Sequence, residues 1–302
     1  MLYPLTAERR AAVVELVVGR CGMTPTIADE QPVGHEWAPV TRLTFDRELP
    51  GLGSGGSSAE SVIVKTRRVD GDGHGGGGPA FLRREVAGLR TAAESGVTAE
   101  AIAVDDRAGV VVQTDLGRWP TLESLLLGDD AGRASAAMVE LGTAVGRLHV
   151  STLGGGERHA TALAEFGASD TWTGANLGSN GPRRWDEIES ASADLAFPDA
   201  RRARGEVATL VSLLDSPGPF SALVHHDLNP TNVLITDAGA RLVDFEGCGF
   251  GHLGTDLSFL HYPFPHYSAH WAVLPRSGHP GRGPCIPRGD RLSGPTRDHA
   301  RI

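Results

Sequence analysis

The sequence predicts an α+β chain in two lobes, a small β-rich N-terminal lobe and a mainly helical C-terminal lobe. Through residue 115, short apolar runs of strand character alternate with glycine-rich loops, whereas the long apolar patterns after residue 116 have helical spacing. At 302 residues the chain is long enough for two lobes with a sizeable core.

In chain order, residues 5–20 have the spacing of an amphipathic helix, and residues 41–46 alternate like an exposed strand. Residues 50–58 form a glycine and serine connection, followed by a strand over 60–67 that contains Ser61, Val62, Ile63, Val64 and Lys65. A glycine loop at 71–78 leads into a helix over 79–95. Val110 to Gln113 is an apolar strand, which Thr114, Asp115, Leu116 and Gly117 break in the manner of a hinge. The N-terminal lobe is thus expected over 1–115.

Past the hinge, Met138, Leu141, Val145 and Leu148 share one face of a helix over 133–150, and Val207, Leu210, Val211 and Leu214 repeat the pattern over 206–214. Residues 154–184, rich in Gly, Thr and Asn, read as a long irregular connection. Val233 to Ile235 and Arg241 to Val243 flank a turn at 236–239 and read as a hairpin. The second lobe is expected over 116–275. Of the last 27 residues, 6 are Arg, 5 Gly and 4 Pro, too few apolar side chains to offset the entropy of ordering. Residues 276–302 are expected to be a disordered tail, and the same composition is what a GC-rich gene gives when read in a shifted frame; both readings stand.

No apolar run approaches the ~20 residues of a membrane span, and 11–18 lacks the pattern of a signal peptide, so a cytoplasmic protein is expected. Three scattered cysteines, Cys21, Cys248 and Cys285, suit neither a disulfide framework nor a zinc site. A net charge of -9 argues against a nucleic-acid partner. Residues 121–275 carry 9 arginines against 19 acids, a balance that suits a cationic substrate and equally suits solubility. The 28 basic residues are 27 arginines and a single lysine, Lys65. Where arginine serves every ordinary need for charge, the one lysine marks a place that needs a compact ammonium.

The chemistry concentrates between residues 225 and 246. His225, His226, Asp227, Leu228, Asn229, Pro230, Thr231 and Asn232 precede the hairpin; Leu242, Val243, Asp244, Phe245 and Glu246 close it. Asp227, able to accept a proton from a hydroxyl, stands five residues before Asn232, an amide able to hold a metal; twelve residues on, Asp244 offers a carboxylate at the end of a strand. This spacing is that of phosphoryl transfer from a nucleotide. Glu85 is the expected carboxylate partner of Lys65, with Glu94 as competitor, while His225 is expected to brace the loop and Glu246 is open between a metal, a substrate and a surface role. Gly51 to Gly56 matches G-x-G-x-x-G but lies ahead of a strand, so it reads as a connection; a phosphate-covering loop is better placed at 34–39.

These motifs, with Leu148-His149 and Leu257 to Leu260 in weaker support, resemble the aminoglycoside phosphotransferase and choline kinase family, small-molecule relatives of the protein kinases, over roughly residues 20–275. The resemblance implies a two-lobed protein-kinase-like fold, ATP or GTP with Mg2+, and a hydroxyl-bearing small molecule as partner. It implies Asp227 as base, Asn232 and Asp244 as metal ligands, Lys65 on the nucleotide phosphates, and Asp256 as a brace; Glu85, Gln113 and Asp115 are expected with Lys65 at the nucleotide site. His226 stands where the family has glycine, no glycine-rich phosphate loop is evident, and the helical end of the family fold is curtailed after Pro275. Two alternatives stand beside this reading: a kinase fold that binds without transferring, and a protein kinase. Twelve residues between Asp244 and Asp256 leave no length for a peptide-docking segment.

Overall fold

A computed structural model of the chain describes residues 5–33, 40–66, 79–167, 200–260, 264–265 and 271–272. The loops expected at 34–39 and 71–78 and the tail at 276–302 lie outside the described residues. Helix α1 (Ala7–Cys21) starts on Thr6, whose hydroxyl accepts from the Arg9 N–H, and stops at Gly22 in the left-handed region at φ 71. Five antiparallel strands follow: β1 (Ile27–Pro32), β2 (Val40–Leu49), β3 (Ala59–Thr66), β4 (Ala101–Asp105) and β5 (Val110–Thr114), in the sheet order β1-β2-β3-β5-β4.

Register divides the sheet into two faces. Val40 pairs with Lys65 and Arg42 with Ile63, while across the next seam Lys65 pairs with Val111 and Ile63 with Gln113. Because side chains alternate along a strand, Arg42, Ile63, Lys65 and Gln113 share one face. The opposite face carries Leu43, Phe45, Val62, Val64 and Val112, which pack on Val13 and Val17 of α1. The exposed strand expected at 41–46 is instead covered at its start: Thr41, Arg42 and Leu43 are all buried, since α1 takes one face and the cleft side the other. Strands β1 and β4 escape the sequence pattern, because Ile27–Pro32 has one leading apolar residue and Ala101–Asp105 is short and alanine-rich.

Helix α2 (Pro79–Ala92) is wedged between the lobes. A Cβ at Gly88 would come within 2.2 Å of Cys248 Sγ, so only glycine lets this turn approach the segment after Asp244. In the second lobe, α3 (Leu122–Leu126) and α4 (Ala131–Thr152) are followed by α5 (Gly156–Glu165), where an irregular connection is expected. Three glycines mask its start in the sequence, and its Ala162 and Leu163 pack on Ala87 of α2. Helix α6 (Ala200–Asp215) precedes β6 (Ser221–Val224), which pairs with β9 (Gly249–His252); between them lies the hairpin β7 (Val233–Thr236) and β8 (Gly239–Leu242). Leu141, Val145 and Leu148 of α4 form the core with Leu223, Leu228, Leu242 and Phe245. Backbone bonds tie the hairpin to both neighbours, Leu242 N–H to Val97 O at 2.7 Å and Ile235 N–H to Pro120 O at 2.9 Å. Among the described residues, no helix is long and apolar enough to cross a membrane.

Candidate active site

The loop 225–232 is built around a buried carboxylate. Asp256, on the short helix α7 (Gly254–Leu257), accepts the N–H of His225 at 2.9 Å, the N–H of His226 at 3.0 Å and His149 Nε2 at 3.0 Å. His225 is fully buried, donates from Nε2 to Val243 O at 3.0 Å and accepts the Asp227 N–H at Nδ1, so one ring joins the loop to the far strand of the hairpin. These bonds hold His226 at φ 66, a left-handed conformation that explains a glycine at this place.

Asp227 is consequently presented with both carboxylate oxygens engaged. Asn229 Nδ2 donates to Oδ1 at 2.9 Å and Asn232 Nδ2 to Oδ2 at 3.1 Å. Asn232 Nδ2 also reaches the Asp227 carbonyl at 3.0 Å, which leaves its Oδ1, with only a 3.5 Å contact from Thr231, as an oxygen for a cation. The Val243 N–H bonds Asn232 O at 2.9 Å and fixes the start of the hairpin against its end, where Asp244 sits at φ 70.

Lys65 links the lobes. Its Nζ lies 2.7 Å from Glu85 Oε2 and 2.6 Å from Asp244 Oδ1, and Gln113 Nε2 donates to Glu85 Oε1 at 2.8 Å. Burial alone would lower the lysine pKa, but the carboxylates of Glu85, Asp244 and Glu246 outweigh it and hold the ammonium above its ordinary value. Glu94, the competing partner, pairs with Arg158 at the surface. Ligand oxygens of Glu85, Asp244 and Glu246 lie within 4.8 Å of one another, a hard-oxygen donor set whose chemistry suits a divalent cation such as Mg2+.

A cleft of about 520 Å³ opens between the lobes. Lys65, Asn232 and Asp244 line its charged end, while Val40 and Ile63 above and Leu234 and Val243 below make an apolar slot. Gln113 and Asp115, expected at the nucleotide, do line this cleft, yet their side chains are spent within the protein. Asp115 accepts from Arg42 Nε and Nη2, from Ser61 Oγ at 2.8 Å and from the Gly117 N–H at 2.9 Å. Burial would raise its pKa, and these donors together hold it below the usual range. Arg42 and Trp119 also line the cleft and are absent from the sequence expectation. The sequence offers no signal for Arg42, which stands at a polar position of an alternating strand; its register with Ile63 is what places it at the cleft. The G-x-G-x-x-G match at 51–56 lies in the β2–β3 connection, with a single turn at Ser54–Gly56.

A family model described as the phosphotransferase enzyme family matches residues 54–273. No curated protein matches the chain by sequence. Among solved structures, an ethanolamine kinase of Plasmodium vivax is similar at a TM-score of 0.50 and 11% identity, over 82% of this chain and 64% of that one. A macrolide 2'-phosphotransferase of Brachybacterium faecium is similar at 0.46 and 18%, over 82% and 76%. A choline kinase of Streptococcus pneumoniae is similar at 0.46 and 13%, over 84% and 74%.

Proposed function

The chain belongs to the phosphotransferase enzyme family, and from that premise we propose that it moves the γ-phosphate of ATP or GTP to a hydroxyl of a small molecule, with Asp227 as base. The observation that carries this reading is the meeting of Lys65, Asn232 and Asp244 at one end of the cleft, with Asp227 held against Asn232.

Residues 1–115 make the nucleotide-binding lobe and 116–275 the catalytic and substrate-binding lobe, with the nucleotide held between the two. The slot between Ile63 and Leu234 takes the planar base, and Lys65, positioned by Glu85, meets the phosphates. Asn232 Oδ1 and Asp244 would hold Mg2+, with Glu246 beside them, and the ion would offset the charge of the phosphates. Asn229 and Asn232 fix the Asp227 carboxylate so that it orients the acceptor hydroxyl and takes its proton, and positioning supplies much of the rate. The acidic balance of residues 121–275 favours a cationic acceptor. A cytoplasmic place of action suits the use of a nucleoside triphosphate.

A peptide acceptor is disfavoured. The stretch from Asp244 to Asp256 is consumed by the turn Phe245–Gly247, by β9 paired to β6, and by the start of α7. The test is transfer of labelled γ-phosphate, with Mg2+, to a panel of aminoglycosides, choline-like amines, sugars and macrolides. Acceptor-dependent product supports the reading, and nucleotide binding with no transfer to any hydroxyl would favour a binding protein instead.

A further inference from the structure

We propose that Trp119 makes the cleft select adenine over guanine nucleotides, an inference that rests on reading the cleft as the nucleotide site. The segment 115–117 lies at the end of the cleft away from Lys65. Asp115 bonds Ser61, which stands four residues from Lys65 along β3, about 13 Å in an extended strand. A base lying between Ile63 and Leu234, with its phosphates at Lys65, therefore turns its hydrogen-bonding edge to residues 115–117.

Most of the polar backbone of that segment is already used. Trp119 Nε1 donates to Leu116 O at 2.6 Å, Arg42 Nη2 donates to Gly117 O at 2.8 Å, and the Gly117 N–H donates to Asp115 Oδ1 at 2.9 Å. The indole can fold back because residue 117 is glycine: its φ is 95, and a Cβ there would come within 3.0 Å of Trp119 Nε1. At residues 116 and 117, the Leu116 N–H is the backbone group left without a protein partner among the described residues.

The two bases meet this pattern differently. Each offers an acceptor to the Leu116 N–H, N1 in adenine and O6 in guanine. Beside that acceptor, on the side of Leu116 O, adenine carries only C2–H, which needs no partner. Guanine carries N1–H and an exocyclic amine, two donors that lose water on entry and meet, at Leu116 O and Gly117 O, carbonyls that each already accept one hydrogen bond, so that a shared and weaker bond is what remains to them. Capped carbonyls are therefore neutral towards the C2–H edge of adenine and moderately costly towards guanine.

Calorimetric titration of the full chain with the Mg2+ complexes of ADP, GDP and 2-aminoadenosine diphosphate tests this without any acceptor. The last nucleotide adds to adenine only the amine that would face Leu116 O. The full chain should bind ADP at least about tenfold more tightly than GDP and about threefold more tightly than the 2-amino compound. Trp119→Phe keeps an aromatic ring and deletes the N–H; it should lower both ratios by about threefold or more. Equal affinity of the unaltered chain for ADP and the 2-amino compound, or ratios unmoved by Trp119→Phe, would overturn the proposal while leaving the cleft as the nucleotide site. Binding of none of the three would overturn both readings.

Discussion

Lys65 Nζ lies 2.6 Å from Asp244 Oδ1 although 179 residues separate them in sequence. One ion pair thus joins a strand of the N-terminal sheet to the residue that closes the β7–β8 hairpin, and Glu85 from α2 completes it from behind. The ammonium is desolvated and surrounded by carboxylates, which is the setting that the proposed phosphate contact would use.

Lys65→Arg keeps the charge and changes the shape. A planar guanidinium is too wide for the gap between Glu85 and Asp244, so transfer should fall about tenfold or more, about 1.4 kcal/mol of transition-state stabilisation, with the melting temperature little changed. Steady-state kinetics and thermal unfolding of the variant check this, and full activity would make the lone lysine an accident of composition.

Loop strain predicts a stabilising change. His226 holds φ 66, and its buried Nε2 has no hydrogen-bond partner among the described residues. Glycine adopts this conformation without a Cβ penalty and removes the unpaired nitrogen, which should outweigh the imidazole packing that is lost. His226→Gly should raise unfolding free energy by about 1 kcal/mol in urea denaturation.

A buried histidine at the α2–α5 contact sets an acid limit on stability. Thr91 Oγ1 donates to Ala87 O and so accepts from His159 Nδ1 at 3.0 Å, which leaves Nε2 buried and, among the described residues, unpaired. Burial pushes the His159 pKa down to about 4. The unfolded chain, near 6.5, binds the proton first, so this contribution is complete above pH 6.5 and is lost as pH falls towards 4, with a slope of at most about 1.4 kcal/mol per pH unit. Denaturation at pH 7 and pH 5 should show the loss in the unaltered chain and a smaller one in His159→Gln.

What the sequence discloses here is mostly local. Asp227 and Asn232 lie five residues apart beside a hairpin with an evident turn, so their proximity follows from chain geometry, and Lys65 stands out against 27 arginines. Arg42 and Asp115 are 73 residues apart, and nothing local says that their side chains meet. Trp119 turns back on Leu116 because Gly117 permits it, a rotamer choice that no periodicity encodes. Helix α5 hides behind three glycines and gains its stability from packing on α2, a tertiary effect that overrides weak local preference.

The central claim is that Asp227 takes the proton of an acceptor hydroxyl, and Asp227→Asn tests it most directly. Asparagine keeps the size of the side chain and one acceptor oxygen, for Asn229 Nδ2; Asn232 Nδ2, facing the new amide nitrogen, keeps its bond to the Asp227 carbonyl, so the loop should keep its shape. Measured on the best acceptor of the hydroxyl panel, transfer should fall about a hundredfold or more while calorimetric nucleotide affinity stays within about twofold. Turnover equal to that of the unaltered chain would contradict the account and remove Asp227 from the chemistry.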